Sequence, residues 1–355
     1  MIDFEKLDQA YHEDRFYSLQ LEVGDRCQQG CIYCYMNAVE EGKNQLTDSM
    51  IYKLLEDSRA LGINAIEWLG GEPLLRPGIF SFMEKSRDLG FRNNMWTGGL
   101  PFKDKGLAKK TAALCRHGLI SIHLSTINPS LYKNMHPERS PEDIDLILDG
   151  IGYLLEIGYP SEQLINSVTY TGLQGSDDLI ATMQYFFEEF GIQTSINVYH
   201  TYLRPGTSPG ELQKFIPAPE EVSRVYHYYK KMIKVKELPM NCVNKQYCSA
   251  TLAVLNNGFV TPCATIREEV PAMDLRNHSF KHIVNANKHI LGFNHFKKPE
   301  NRPDGCRNCK INEECWGCRS RSYAIGKGLF GIDPRCFRNP GGGKFRQHTG
   351  VNPSF

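Results

Sequence analysis

From residue 17 to residue 200 the chain repeats one unit: a short β-rich run, a loop, an amphipathic stretch and a glycine. The strand-like runs fall at 17–23, 64–69, 92–97, 119–125, 164–170 and 194–200. The periodicity predicts helices between them at about 47–61, 78–89, 105–117, 141–157 and 176–190, with Gly62, Gly90, Gly118, Gly158 and Gly191 one residue beyond each. Glycine there suits a left-handed C-terminal cap. Ser140 ahead of Pro141, and Ser176 ahead of Asp177 and Asp178, supply helix start signals. Strands that alternate with helices pair in parallel. Six such units predict an α/β fold, a partial (β/α)6 barrel. A seventh helix at about 219–235 closes it, and the chemistry belongs at the C-terminal ends of the strands.

The pattern breaks near 236–241. Beyond it cysteines, glycines and short loops dominate. Residues 249–255, Asn256-Asn257-Gly258 and 259–261 read as a β-hairpin with an Asn-Gly turn. The expected division is an N-terminal extension (1–16), the barrel (17–238), a small cysteine-rich α+β domain (239–340) and a mobile tail (341–355). A chain of 355 residues, 41% of them hydrophobic, can build both cores. With 41 Lys and Arg against 40 Asp and Glu, it lacks the basic excess of a nucleic-acid binder. Neither a secretory signal nor a membrane-length apolar run is present. A cytoplasmic protein with no nucleic-acid or membrane partner is expected.

Twelve cysteines are many for a reducing compartment, where clustered thiols serve as metal ligands or catalytic groups more often than as disulfides. Three lie together as Cys27-x3-Cys31-x2-Cys34, directly after the first strand. Three thiolates can hold three irons of a cubane and leave the fourth open, whereas clusters that only carry electrons mostly use four. A zinc site lacking one ligand, or packing cysteines, are the alternatives at this spacing. Cys115 stands alone on a predicted helix and reads as a small buried hydrophobe.

A Cys-x3-Cys-x2-Cys loop after strand one of a (β/α)6 barrel resembles the radical S-adenosylmethionine (SAM) superfamily. That resemblance covers roughly residues 15–235. It implies that the open iron chelates the amino and carboxylate groups of SAM, and that one electron then releases a 5′-deoxyadenosyl radical. Tyr33 matches the aromatic position beside adenine. Gly70-Gly71-Glu72-Pro73, ending strand two, matches the family's Gly-Gly-Glu-Pro motif, in which a carboxylate accepts from the SAM ammonium. At the end of strand four, His123-Leu124-Ser125-Thr126 replaces the usual Ser-x-Asp-Gly run, leaving Ser125 or His123 for the ribose, or His123 as a structural histidine. Arg139 matches an arginine that some relatives place on the SAM carboxylate, and is otherwise a solvated loop residue. Leu203 is a candidate for packing on adenine or for packing without SAM.

The remaining eight cysteines run Cys242-x5-Cys248-x14-Cys263 and then Cys306-x2-Cys309-x5-Cys315-x2-Cys318-x17-Cys336. This pattern resembles the SPASM extension of radical SAM enzymes, with one residue fewer before Cys318 than many relatives have. The resemblance implies one auxiliary cluster on Cys242, Cys248, Cys263 and Cys318 and another on Cys306, Cys309, Cys315 and Cys336. Three [4Fe–4S] clusters, SAM and a reducing partner such as flavodoxin or ferredoxin follow from it. Paired Cys-x2-Cys is also zinc-ribbon spacing, so structural zinc is the alternative.

SPASM relatives act on peptides and proteins, or on small molecules such as haem precursors and aminoglycoside-type alcohols. Sulfatase-maturing relatives carry Asp directly after the cysteine matching Cys263, where this chain has Ala264. Only 26 residues precede Cys27, so the peptide-recognition domain of many ribosomal-peptide maturases is not expected ahead of it, although that domain can be a separate chain. The expected enzyme is a radical SAM oxidoreductase or maturase acting on a peptide or protein side chain. A small-molecule oxidoreductase, and a non-enzymatic electron carrier or zinc module, are the alternatives. Glu67, Tyr170 and Tyr199 are strand residues whose facing the sequence does not decide. Trp68, Trp96 and Trp316 read as packing residues.

Overall fold

The computed structural model describes residues 2–199, 209–240, 243–324 and 328–339. Six strands, β1 (Ser18–Glu22), β2 (Ala65–Leu69), β3 (Arg92–Thr97), β4 (Ile120–Ile122), β5 (Leu164–Tyr170) and β6 (Gln193–Val198), pair in parallel in sequence order. Between them lie α2 (Asp48–Ala60), α3 (Ile79–Asp88), α4 (Lys105–Leu114), α5 (Pro129–Met135), α6 (Asp143–Glu156) and α7 (Gly175–Phe190), after an N-terminal α1 (Phe4–His12). The short α8 (Pro209–Gln213) and then α9 (Pro219–Met232) follow β6. This is the predicted (β/α)6 order. Among the described residues no helix is long and apolar enough to cross a membrane.

Local chemistry accounts for most boundaries. Thr47 accepts from the Met50 N–H, Asp104 from Gly106 and Leu107, and Asn128 from Ser130 and Leu131, so α2, α4 and α5 begin where side chains satisfy their first donors. Four of the five expected glycine caps have φ between 67° and 85°. Gly118 departs from this: its backbone lies so close to Asn93 that a Cβ would sit 1.9 Å from the Asn93 carbonyl oxygen. Close approach, not a left-handed cap, requires glycine there. Helix α6 starts at Asp143, later than Ser140 and Pro141 suggest, and Asp143 is engaged by Arg139.

Alternation sorts each strand. Leu19, Leu21, Ile66, Trp68, Met95, Ile120 and Ile122 pack outward against helical residues such as Leu54, Phe82, Met83, Phe102 and Ile147. Cys115 is fully buried in this core. One buried amide ties it together. Asn93 accepts from Trp68 Nε1 at 2.9 Å and donates to the carbonyls of Met83 at 3.0 Å and Leu114 at 3.2 Å.

The hairpin expected to open the second domain is present as β7 (Thr251–Val254) and β8 (Val260–Thr261), after α10 (Lys245–Ser249). Strand β7 pairs in parallel with β1, on the edge away from β2. The cysteine-rich segment therefore extends the barrel's own sheet.

Replacing Asn93 with Ala strands the Trp68 N–H and two carbonyls in an apolar layer. We expect a loss of about 3 kcal/mol in urea unfolding under anaerobic conditions; a loss below about 1 kcal/mol would show that Asn93 does not join strand to helices.

Candidate active site

The three-cysteine loop leaves the C-terminal end of β1 and is fastened to the end of β2 by backbone alone. The Gly71 N–H donates to the Gly24 carbonyl at 2.9 Å and the Glu72 N–H to the Arg26 carbonyl at 2.7 Å. A Cβ on Gly70 would come within 2.4 Å of the Gly24 oxygen, and one on Gly71 within 2.3 Å of the Arg26 oxygen. Gly70 also holds φ at 140°, which side chains rarely tolerate. The loop is closed by Cys27 N–H on Val39 at 2.8 Å and Cys34 N–H on Cys31 at 3.1 Å. Burial pushes the Cys27 thiol up to about 12, with the Glu72 and Cys34 charges adding. Cys31 is also raised, by burial first and then by Cys34 and Cys27. The three sulfurs thus feel one another, and Glu72 lies beside them.

Glu72 is 3% exposed and accepts from Leu74 N–H at 3.2 Å, Thr97 Oγ1 at 2.8 Å and Gly98 N–H at 2.8 Å. Burial nevertheless pushes its carboxyl up to about 7, with no cation among the described residues to offset it. The Gln29 carboxamide, also buried, has no partner at either end among the described residues. Its oxygen lies 2.2 Å from where a Gly98 Cβ would be, next to Glu72.

Tyr33 turns its ring inward. Its hydroxyl lies 3.0 Å from His123 Nε2, 3.3 Å from Ser125 Oγ and 3.4 Å from His136 Nε2. Burial pushes both histidines down to about 4, so they are neutral near pH 7. Tyr33 therefore fastens the cysteine loop to β4 and to the end of α5. His136 gave no signal in the sequence.

The strand faces away from the helices are polar. Ser18, Gln20 and Glu22 alternate along β1, and the register places Glu67, Asn94, Trp96 and Ser121 on the same side. Glu67 accepts from Ser18 Oγ at 2.7 Å and from Gln20 Nε2 at 3.2 Å. Burial without a cation pushes it up to about 7. Tyr170 points the other way, into the core beneath α7 and α9. Tyr199 packs with Tyr33, Met135 and Phe215. Glu22 joins the two halves: it accepts from Tyr35 Oη at 3.2 Å, Arg267 Nη1 at 2.7 Å and Asn256 N–H at 3.0 Å.

The later cysteines fall into two groups. Cys263, after β8, is pushed up to about 11 by burial, opposed by Thr265, with Cys318 adding to the rise. Cys248, on α10, shares its apolar surroundings with Cys263. Cys306 is pushed up to about 11 by burial against Arg319, with Cys315 and Cys309 adding. Cys336 rises to about 12 by burial and Asp333, with Cys315 and Cys306 adding. Cys318 thus lies beside Cys263, although only two residues separate it from Cys315. Between the groups sits a buried pair, Arg321 and Asp333, at 2.7 Å. Arg321 also donates to the Val198 and Met240 carbonyls, and Asp333 accepts from the Cys318 N–H at 2.9 Å.

Residues 21–185 match the radical SAM superfamily and residues 242–310 match SPASM, an iron–sulfur cluster-binding domain. The chain belongs to the radical SAM superfamily and carries a SPASM domain. It is 30% identical to GTP 3′,8-cyclase of Streptomyces coelicolor over 201 residues, 53% of this chain and 56% of that relative. The chain thus spans about half the length of that curated relative. In fold it resembles SuiB of Streptococcus suis bound to SAM (TM-score 0.65, 15% identity, covering 94% of this chain and 80% of SuiB). SuiB has also been solved with a precursor peptide, SuiA. It likewise resembles anSMEcpe with bound AdoMet and the Kp18Cys peptide (TM-score 0.61, 15% identity, covering 86% and 90%).

The chain's two matches are to families that use SAM and [4Fe–4S] clusters. Its donor set fits: three thiols in one loop beside a buried carboxylate and an unpartnered carboxamide, and further thiols in two groups. Among the described residues no three Cys, His, Asp or Glu side chains form a ready cage for a single ion. Arg139, a candidate for the SAM carboxylate, lies in a two-pronged pair with Asp143 at 2.6 and 2.9 Å. Leu203 and Cys242 lie outside the described residues. Trp316 is fully buried against Phe293 and Phe296.

Glu67 supplies a test of the polar strand face. Its raised carboxyl disfavours the charged form, so it costs no stability below the unfolded value near 4.5 and the cost grows as pH rises toward 7. Glu67→Gln lacks this dependence. Urea unfolding of the cluster-free variant at pH 8 and pH 4.5 should show its stability relative to the parent rising by about 3 kcal/mol at the higher pH. A pH-independent difference would mean that Glu67 is not buried without a cation.

Proposed function

We propose that this enzyme carries three [4Fe–4S] clusters and abstracts a hydrogen atom from a peptide or protein side chain, leaving it oxidised or cross-linked. The observation that carries this reading is the three-thiol loop docked beside Glu72, with Cys263 near Glu67 of the polar strand face and a further thiol group around Cys306. When bound, a cluster with one open iron supplies the electron that breaks a C–S bond of SAM and frees a 5′-deoxyadenosyl radical.

The chain's own residues do the rest. Cys27, Cys31 and Cys34 hold the SAM-binding cluster. The auxiliary sets are Cys242, Cys248, Cys263, Cys318 and Cys306, Cys309, Cys315, Cys336. Gly70, Gly71 and Pro73 shape a strand end that leaves Glu72 facing the SAM ammonium, whose charge draws this carboxyl back to its ionised form. The Tyr33, His123 and Ser125 group serves the nucleoside, with Leu203 at adenine and Arg139 toward the SAM carboxylate. Gln20, Glu67, Asn94 and Trp96 offer hydrogen bonds to substrate. The division into barrel (17–238) and SPASM domain (239–340) separates radical generation from the auxiliary centres. A flavodoxin or ferredoxin in a reducing cytoplasm supplies electrons.

Two relatives in fold, solved with peptides, support a peptide substrate. A second reading, a small-molecule substrate, has support in the identity with GTP 3′,8-cyclase.

Anaerobically reconstituted enzyme should hold about twelve irons per chain. With dithionite it should convert SAM to 5′-deoxyadenosine. Cys27→Ala should reduce this to background while keeping the auxiliary absorbance. A deuterated substrate should pass its label to 5′-deoxyadenosine. Zinc in place of iron, or no SAM cleavage, would refute the reading.

A further inference from the structure

Gln29 lies inside the three-cysteine loop and is 3% exposed, although its side chain ends in a carboxamide. Among the described residues neither its Oε1 nor its Nε2 has a hydrogen-bond partner. A buried polar atom left unpaired is unfavourable, and here one side chain carries two. The backbone accounts for its inward turn. The Gln29 N–H donates to Cys27 Sγ at 3.4 Å, and Gly30, with φ of 63°, turns the chain back toward Cys31. The carboxamide then comes to rest against Gly98, directly after β3. A Cβ on Gly98 would lie 2.2 Å from Oε1 and 2.9 Å from Cδ, so glycine there leaves the room that Gln29 fills.

The same strand end holds Glu72, whose Oε2 accepts from the Gly98 N–H at 2.8 Å and from Thr97 Oγ1 at 2.8 Å. Gln29 and Glu72 thus reach one place from two directions, the first from the cysteine loop and the second from β2. Together they present a carboxylate, an amide oxygen and an amide N–H. A simple anion would satisfy only the N–H and would be repelled by Glu72. A simple amine would leave the N–H unpaired. An α-amino acid end satisfies all three, because it carries an amino group and a carboxylate on one carbon. Arg139 is held in its two-pronged pair with Asp143, so Gln29 supplies a donor that does not require that pair to break.

We propose that Gln29 is a positioning residue for SAM. Its Oε1 accepts from the amino group, beside Glu72, and its Nε2 donates to the carboxylate. The two contacts fix the amino-acid end from the loop that carries the thiols, so the same short segment sets both the metal ligands and the group that must reach the open iron. This rests on the placement of SAM at this loop given under Proposed function.

The experiment compares reconstituted wild-type enzyme with Gln29→Met, which keeps the length and removes the polar end, and with Gln29→Glu, which keeps an acceptor and removes the donor. Binding is read by anaerobic equilibrium dialysis, without turnover. The probes are SAM, decarboxylated SAM and 5′-methylthioadenosine, which lacks the amino-acid end. Gln29→Met should bind SAM at least about tenfold more weakly, the loss expected for hydrogen bonds to charged groups, with 5′-methylthioadenosine binding unchanged. Gln29→Glu should also weaken SAM, yet bind decarboxylated SAM at least as tightly as wild type does, because the added carboxylate repels the one and attracts the other. In urea unfolding without SAM the Gln29→Met midpoint should move to higher urea, since two unpaired polar atoms leave the interior. Equal SAM affinity in wild type and Gln29→Met would overturn the proposal. So would an equal loss for SAM and 5′-methylthioadenosine with a lower urea midpoint, which would make Gln29 structural. Wild-type enzyme that binds no SAM would overturn the placement of SAM at this loop, and this inference with it.

Discussion

The first centre depends on two backbones touching. The Gly70–Glu72 segment lies against Gly24–Arg26 at a distance that excludes any side chain on either glycine. Two short hydrogen bonds hold the contact. Because of it, the loop that carries Cys27, Cys31 and Cys34 begins at a fixed height above the sheet, with the Glu72 charge near Cys27. Tyr33 fastens the other side of the loop to His123, Ser125 and His136. The loop is therefore held by rigid elements at both ends, as a site that must present an open metal corner requires.

The second half is organised by charge. Arg319 and Arg321 are each at most 2% exposed, with Asp333 the buried acid beside both. Buried cations without anions are costly. Here they lie beside Cys306, Cys315 and Cys318, thiols that would become anionic on the metal binding proposed for them. Arg321 is the clearest case: it pairs with Asp333, which supports the Cys318 N–H, and reaches Val198 at the end of β6. The auxiliary region is thereby keyed to the barrel twice, through Arg321 and through the β7–β1 pairing. Burial raises Cys27, Cys263, Cys306 and Cys336, so the metal uptake proposed for them would displace protons.

Much of this was legible in the sequence. Apolar alternation and glycine punctuation placed all six barrel strands, and the Asn-Gly turn placed the β7–β8 hairpin, because these signals are local. Gly118 was read as a cap since its real constraint, the Asn93 carbonyl, is distant in sequence. The pairing of β7 with β1 was not legible for the same reason. Within the site, cysteine spacing and Gly-Gly-Glu-Pro stood out as motifs. His136, Gln29 and Glu22 did not, because each matters only through residues far along the chain. The facing of Glu67 and Tyr170 required the register, which the sequence does not contain.

The proposed chemistry turns on an iron left free by three sulfurs. The most direct measurement is electron–nuclear double resonance on the dithionite-reduced enzyme with SAM labelled with ¹⁵N at its amino group. A hyperfine coupling from that nitrogen to the reduced cluster is expected, and Cys31→Ala should abolish it. A reduced cluster whose spectrum is unchanged by SAM, with no nitrogen coupling, would contradict the account.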